Sequence, residues 1–199
     1  MKKIIACIPL SWPYVPTPFL ESVVGMVGYA NGKYKLEPLI RSHCYLHTMR
    51  ENLAEEALFD GADYLLWLDA DQSYPIDTPE RLMKHEKFIV GGMTPRKDDG
   101  GSLAYDFAGE DVGIRRVNLV PGNGLQKVDA MGFGGILTDV KLFSRLREPY
   151  FLPDWNDGQT RLGEDVTFFK KCKDAGIDVW CDTGLLYEHI VQDVVRVKG

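Results

Sequence analysis

The sequence predicts a single α/β domain with a mixed, mostly parallel sheet and helices on both faces. Predicted strands and helices alternate through the first half of the 199 residues, as a parallel sheet requires. The apolar residues 64–68 form a continuous run, which is typical of a strand buried on both faces. Residues 114–131 predict an antiparallel hairpin that joins later. No linker composition divides the chain, so we expect residues 1–199 to form one domain.

Prolines and glycines divide the first half of the chain into short elements. Three prolines in residues 11–18 predict a loop, and Thr48 and Glu51 have the spacing of a capping box at a helix start. The predicted elements are a strand at 3–9, a helix from about 18 to 29 that Asn31-Gly32 ends, an extended run at 34–41, a helix that Gly61 ends, a strand at 64–68, a helix opened by Pro79, and a strand at 88–90 that Gly91-Gly92 ends.

The second half of the chain contains longer polar segments. Residues 94–113 are rich in Gly and Asp and predict a loop, as do residues 150–163. Residues 121–124 predict the turn between the two extended runs of the hairpin. The remaining predicted elements are a short helix near Thr138, a helix from Glu164 to about Ala175, and a strand at 177–181.

Composition and charge restrict the classes of function. Hydrophobic residues make up 45% and charged residues 26%, the balance of an ordinary globular protein. No apolar run approaches the roughly 20 residues that cross a bilayer, so we expect no membrane span. The net charge of −6 disfavours tight nonspecific binding to nucleic acid. The four cysteines are scattered without a CxxC pair, which predicts a reducing, cytoplasmic environment.

The strongest chemical signal is a pair of carboxylates, Asp69 and Asp71, directly after the buried strand 64–68. Ligands of open α/β sheets bind at the carboxyl ends of strands. Two adjacent carboxylates repel each other unless a cation or a hydrogen-bond donor neutralises them. Magnesium and manganese suit such oxygen ligands and commonly bridge to phosphate. A bare Asp-x-Asp triplet is common, so taken alone the pair favours a loop start in which one Asp caps a turn.

Other polar residues are candidates for the same site. Gly163-Glu164-Asp165 opens a helix, whose free backbone N–H groups favour carboxylates. Arg50 and Asn52 lie at the start of the helix before the Asp69 strand, and asparagine is a poor helix former. His189 lies near the end of the chain. Glu164-Asp165, Arg50 and His189 each also have an ordinary explanation, as a helix cap, a solvated charge and a structural histidine, whereas Asn52 inside a helix is less easily explained.

In their order along the chain, these motifs resemble the glycosyltransferases of the GT-A fold. The resemblance is to the broad inverting family 2 and to compact members encoded by bacteria and their viruses, and it covers roughly residues 4–190. It implies a single GT-A-like, Rossmann-like domain. The motifs that carry it are Ile8-Pro9, Arg50 with Asn52, residues 68–71, residues 89–92, residues 128–132 with Gly134-Gly135, residues 163–166, and His189 after residues 180–182.

The resemblance implies metal-dependent transfer of a sugar from a nucleoside-diphosphate sugar to an acceptor hydroxyl. Mn²⁺ or Mg²⁺ would be the cofactor, bound by Asp71, Asp69 and His189. Asp165 would be the base for the acceptor hydroxyl, and Glu164 would bind a sugar hydroxyl or cap the helix. The loop after Pro9 would hold the nucleobase and ribose. The residues expected to bind the donor are Pro9, Ser11, Arg50, Asn52, Asp69, Ala70 and Gly134.

Several alternatives stay open. A nucleotidyltransferase of similar fold would normally carry a Gly-rich, basic loop after its first strand, whereas residues 10–14 contain no Lys or Arg. A noncatalytic nucleotide-sugar-binding module is a third possibility, although the carboxylates and His189 argue against it. His43, Cys44 and His47 resemble zinc ligands, but no fourth ligand stands at a recognisable spacing.

The acceptor is expected to be a carbohydrate or a hydroxymethylated base in viral DNA, the latter in the host cytoplasm. Arg96-Lys97, Arg115-Arg116 and Trp155 are candidates for a local phosphate-binding and stacking surface. The acidic total charge favours the other interpretation, in which these are solvated charges and a core tryptophan.

Overall fold

The computed structural model describes residues 1–11, 13–108, 113–156 and 159–190, so Trp12 lies outside the described residues. The helices are α1 (Thr17–Ala30), α2 (Leu46–Phe59), α3 (Thr78–Met83) and α4 (Glu164–Asp174), with a 3-10 helix at Val140–Arg145. The strands are β1 (Lys3–Leu10), β2 (Lys35–Ser42), β3 (Tyr64–Trp67), β4 (Gln72–Ser73), β5 (Ile89–Met93), β6 (Ala104–Ala108), β7 (Gly113–Arg116), β8 (Leu125–Val128), β9 (Ala130–Met131), β10 (Ile136–Asp139), β11 (Asp154–Asn156), β12 (Gln159–Leu162), β13 (Val179–Leu186) and β14 (Glu188–His189).

A seven-stranded sheet forms the centre of the described chain, in the order β2-β1-β3-β10-β5-β13-β8. Strand β1 pairs in parallel with β2 and β3, and β5 pairs in parallel with β13. Strand β10 lies antiparallel between β3 and β5, and β8 lies antiparallel to β13 at the edge. Five strands therefore share one direction, which confirms the predicted mixed, mostly parallel sheet.

Helices cover both faces of this sheet, as predicted. Successive side chains of a strand point to opposite faces. Ile5 of β1 packs on the face that carries Leu53 of α2 and Phe168 of α4. The opposite face packs against Met26 of α1 and Leu82 of α3. In the described ranges, no helix is long and apolar enough to cross a membrane.

Strand β5 does not end at Gly91-Gly92 as predicted but continues to Met93. Gly91 pairs with Ile136 of β10 and with Cys181 of β13. A Cβ added at Gly92 would collide with the ring of Tyr187. Glycine is required here because a buried tyrosine packs against the strand, whereas the sequence pattern indicated a strand end.

The predicted capping box at Thr48 and Glu51 is wrong. Helix α2 begins at Leu46, so Thr48 lies inside its first turn, and the N-cap residue Tyr45 makes no side-chain cap hydrogen bond. The carboxylate of Glu51 instead accepts hydrogen bonds from the backbone N–H groups of Tyr150 and Phe151, both at 2.8 Å. Glu51 thus fastens a distant segment to α2, a contact that local spacing cannot show.

The predicted hairpin at residues 114–131 is also wrong. Strand β7 pairs with β6, whereas β8 pairs with β13. Of the hairpin only the turn is present, with positive φ at Gly122 and Gly124. The predicted loops contain β6 and the β11–β12 pair, and β13 extends to Leu186. The short helix predicted to start near Thr138 is present as the 3-10 helix Val140–Arg145, which follows β10. Short strands of this kind take their stability from a distant partner, so local periodicity identifies them poorly.

The packing of Tyr187 against Gly135 yields the first prediction. Gly135 and Gly122 both have φ of 79°, but a Cβ at Gly135 would collide with the Tyr187 ring, whereas Gly122 has open space around it. Gly122→Ala should lower the free energy of unfolding by about 1 kcal/mol through backbone strain. Gly135→Ala should cost about 2 kcal/mol more, because the buried site would be overpacked. Urea unfolding measures both, and equal losses would contradict the packing argument.

Candidate functional site

The candidate site is a groove at the carboxyl ends of β1 and β3. A cavity of about 150 Å³ at its centre is lined by Pro9, Ser11, Leu46, Asp69, Ala70 and Asp71. A second cavity of about 200 Å³ adjoins it and is lined by Leu10, Tyr14, Pro16, Ala70, Asp71, Lys97 and Ile190. The structure therefore brings five of the predicted residues, Pro9, Ser11, Asp69, Ala70 and Asp71, to one place.

A third and larger cavity, of about 870 Å³, continues the groove between the end of β1 and the end of β2. It is lined by Leu10, Ser11, Pro13, Ser42, His43, Cys44 and Tyr45. The sequence predicted only the first of its two walls. The second wall contains two of the candidate zinc ligands, but no group of three or more His, Cys, Asp or Glu in the described part of the chain is arranged to hold a metal ion.

A buried guanidinium joins two of the predicted motifs. Arg50 Nη2 donates to Asp69 Oδ1 at 3.0 Å and Oδ2 at 3.3 Å, and Nη1 donates to Glu164 Oε1 at 2.6 Å. The side chain of Arg50 is 4% exposed, against 25% for Asp69 and 16% for Glu164. Arg50 thus ties the end of β3 to the first residue of α4.

The environment of Arg50 keeps it charged. Burial alone would lower its pKa, but the carboxylates of Asp69 and Glu164 raise the pKa above its ordinary value. The guanidinium lies over the ring of Phe133, with Cζ 4.6 Å from the ring centroid. Its planar fork is suited to holding two carboxylates in fixed positions.

Tyr74 fixes the backbone of Asp69. Its hydroxyl accepts a hydrogen bond from the Asp69 N–H at 2.9 Å and donates one to the Asp69 carbonyl at 3.0 Å. Burial raises the pKa of Tyr74 well above its ordinary value, so the phenol stays protonated. The chain between Asp69 and Tyr74 is therefore a closed turn, and Asp71 projects from it.

Strand β14 brings His189 to this turn. His189 pairs with Gln72 in the short β4–β14 ladder, and the Ile190 N–H donates to the Asp71 carbonyl at 2.8 Å. His189 Nδ1 lies 2.5 Å from the Pro95 carbonyl, which can only accept, so Nδ1 carries the proton. The lone pair of Nε2 is left beside the Gln72 amide at 3.4 Å. Histidines that bind metals commonly have this second hydrogen bond.

Both carboxylates of the Asp69-Ala70-Asp71 triplet have a cationic partner. Arg50 occupies both oxygens of Asp69, and Lys97 Nζ lies 2.6 Å from Asp71 Oδ2. The Lys97–Asp71 pair is about half exposed, unlike the Arg50 cluster. Of the two carboxylates, that of Asp71 is therefore the more accessible, and among the described residues Asp69, Asp71 and His189 do not form a three-ligand metal cluster. Carboxylate oxygen and imidazole nitrogen suit a divalent cation that takes its other ligands from water and phosphate.

Asp165 lies on the same side of the molecule as the Arg50 cluster. Its Oδ1 accepts a hydrogen bond from the Val166 N–H at 2.8 Å in the first turn of α4. Burial and the negative charge of Asp165 both raise the pKa of Tyr105, and Asp165 also raises that of Arg50. The two carboxylates predicted for catalysis thus have different partners. Glu164 pairs with the Arg50 guanidinium, whereas Asp165 accepts from a backbone N–H.

Two further residues predicted to bind the donor, Gly134 and Asn52, differ in where the structure places them. A Cβ at Gly134 would collide with the Gln72 amide, so this glycine lets Gln72 approach the site. Asn52 is exposed on α2, whereas Arg50 is buried. Residues two apart on a helix point to nearly opposite sides, so the structure does not bring Asn52 to the cluster.

The basic residues considered for DNA binding are paired with carboxylates. Arg96 binds Asp99, Arg115 binds Asp106, and Arg116 lies 3.5 Å from Asp98. The side chain of Trp155 lies outside the described residues. Sequence analysis also missed Gln72 and Tyr74, neither of which belongs to a recognisable motif, and it considered Lys97 only for a DNA-binding surface.

Two solved structures share this fold at low sequence identity. A197 from STIV superposes with a TM-score of 0.65 and 18% identity, covering 100% of this chain and 99% of that one. GalNAc-T7, solved with UDP, GalNAc and Mn²⁺, gives a TM-score of 0.58 and 16% identity, covering 96% of this chain and 43% of that one. The chain therefore has a GT-A-like fold. No family model or curated protein matches the sequence, so membership of family 2 stays a prediction.

The Arg50 bridge yields the second prediction. Arg50→Met should lower the free energy of unfolding by about 3 kcal/mol, because it leaves two partly buried carboxylates without their cation. Arg115→Met is the matched control: it breaks the pair with Asp106, but its side chain is 74% exposed. The control should change stability by about 0.5 kcal/mol or less. Chemical denaturation measures both, and similar small losses would show that the bridge is not a structural constraint.

Proposed function

We propose that this chain is a metal-dependent glycosyltransferase that moves a sugar from a nucleoside-diphosphate sugar to an acceptor hydroxyl. The proposal rests on the Asp69-Ala70-Asp71 turn, which lines a groove at the carboxyl edge of a GT-A-like sheet. GalNAc-T7, which shares the fold, was solved with UDP, GalNAc and Mn²⁺. Because the sequence identity is low, that comparison supports the fold alone. The functional argument rests on the residues of this groove.

The 870 Å³ cavity suits the nucleoside part of the donor. Ser11 and Ser42 on its opposite walls offer hydroxyl groups to a base or ribose. Tyr45 is 79% exposed and stacks on His47 with ring centroids 5.7 Å apart. A flat aromatic surface at the rim of a cleft favours stacking of a nucleobase. We propose that the donor is a uridine or guanosine diphosphate sugar.

The diphosphate would then lie over the Asp69–Asp71 turn. Asp71 and His189 would hold Mn²⁺ or Mg²⁺, with the remaining positions filled by water and donor oxygens. When bound, the metal neutralises the charge that develops on the leaving diphosphate. Arg50 holds Asp69 in a fixed orientation, which suits Asp69 to contact the ribose or the edge of the metal site.

Asp165 is proposed as the base that accepts the proton of the acceptor hydroxyl. Single displacement needs a base on the face opposite the leaving diphosphate. Glu164 is held by Arg50 at 2.6 Å, so it is less free to exchange a proton than its neighbour. Glu164 is instead suited to fix the start of α4 through Arg50 and to accept a hydrogen bond from a sugar hydroxyl.

The paired cations on this surface favour a carbohydrate acceptor over DNA. A DNA-binding surface needs cations free to replace the counterions of phosphates. Arg96, Arg115 and Arg116 are each paired with an aspartate.

A nucleotidyltransferase is disfavoured by the absence of Lys and Arg in residues 10–14. Turnover separates the enzyme from a noncatalytic binding module, and a cytoplasmic location remains part of the proposal.

Asp71→Asn should abolish the strengthening of donor binding by Mn²⁺ and reduce sugar transfer by at least about 100-fold, because the amide is a poor metal ligand. Asp178→Asn is the control, since Asp178 also pairs with a lysine at 2.7 Å and is similarly exposed. Calorimetry with UDP and GDP, with Mn²⁺ and with a chelator, measures the effect. Equal donor affinity of the unmodified protein in manganese and in chelator would remove the metal from the proposal.

Asp165→Asn should slow transfer by about 10²–10⁴-fold and leave donor affinity within about twofold, because a general base acts on the acceptor. Asp174→Asn at the other end of α4 is the control and should retain full turnover. Product formation by mass spectrometry and the donor dissociation constant are the measurements. Near-full turnover of Asp165→Asn would place the base elsewhere, and a product with retained anomeric configuration would remove the need for it.

A further inference from the structure

Residues 94–97 contact three polar side chains of the Asp71 region. Thr94 Oγ1 donates to Gln72 Oε1 at 3.3 Å, and the Pro95 carbonyl accepts from His189 Nδ1 at 2.5 Å. Lys97 then reaches Asp71 Oδ2 at 2.6 Å. One short segment after β5 therefore holds the amide, the imidazole and the carboxylate that surround the proposed metal position.

The backbone of this segment is fixed from its other side. The Leu103 N–H donates to the Thr94 carbonyl at 2.9 Å, and the Arg96 N–H donates to the Gly101 carbonyl at 2.6 Å. The Arg96 side chain is only 8% exposed and donates to the Ser102 carbonyl. Lys97, in contrast, is 54% exposed. Its flexible four-carbon stem can therefore change partner while the backbone stays in place.

Lys97 and a divalent cation compete for the same carboxylate. A metal bound to Asp71 would lie a few ångströms from the ammonium group, and the two positive charges would repel each other. The diphosphate of a donor removes this conflict, because it brings negative charge to the cavity that Lys97 lines together with Asp71 and Tyr14. A lysine ammonium is a point charge that commonly binds phosphate.

We propose that Lys97 is a donor-binding residue that pairs with Asp71 before the donor binds and transfers to the diphosphate when metal occupies Asp71. This inference rests on the proposed function. This exchange of partners makes metal and nucleotide binding cooperative, because the metal displaces Lys97 from Asp71 and the diphosphate of the nucleotide then binds the Lys97 ammonium group. By linkage, each ligand must strengthen the other by the same factor.

The test compares Lys97→Met with Lys127→Met. The control removes the same charge from a pair of similar length and exposure, Lys127–Asp178 at 2.7 Å, on the edge strand β8. Calorimetry measures binding of MnCl₂ alone, and of UDP and GDP at saturating MnCl₂. For Lys97→Met we expect about tenfold tighter Mn²⁺ binding and about tenfold weaker nucleotide binding. The control should match the unmodified protein in both, with unchanged thermal unfolding for all three.

The outcomes separate this inference from the proposed function. If the unmodified protein binds neither UDP nor GDP with Mn²⁺, both are overturned. If it binds a nucleotide with Mn²⁺ and Lys97→Met behaves like the control, Lys97 is only a surface ion pair and this inference alone is wrong. Tighter Mn²⁺ binding with unchanged nucleotide affinity would also overturn the transfer of Lys97 to the diphosphate.

Discussion

The two-sided ion pair of Arg50 is the constraint on which the site depends. Asp69 follows the third strand of the sheet and Glu164 begins the last helix, and these two carboxylates would repel each other without a shared cation. Because the guanidinium is buried and planar, it holds both at once and also packs on Phe133. The relative position of the Asp69–Asp71 turn and Asp165 follows from this bridge, so the proposed donor and acceptor sides of the groove would be set together.

A second layer of contacts positions the groups that stay accessible. The β4–β14 ladder carries His189 to the turn, and the segment after β5 orients its imidazole through the Pro95 carbonyl. Gly134 and Gly135 make room for Gln72 and Tyr187, which pack behind the site. These two glycines therefore allow close packing around the groove.

Much of the fold could be predicted from the sequence. Local patterns identified several elements correctly. Continuous apolar runs predicted β1 and β3, and glycines marked the ends of α2 and α4. The hairpin prediction was wrong because alternation identifies a strand but not its partner: β7 and β8 pair with β6 and β13. The capping box was wrong because Glu51 satisfies two backbone N–H groups about 100 residues away.

The sequence alone determined the order of the main strands and helices in the first half of the chain, the carboxylate pair at a strand end, and the presence of a carboxylate-bearing helix start and a late histidine. These are local features, set by residue type and short spacing. The tertiary structure alone decided that Arg50 neutralises Asp69 and Glu164, that Lys97 pairs with Asp71, and that His189 reaches the turn beside Gln72. Partners so far apart in sequence meet only when the sheet order is formed, because no local pattern specifies which side chains share a strand edge.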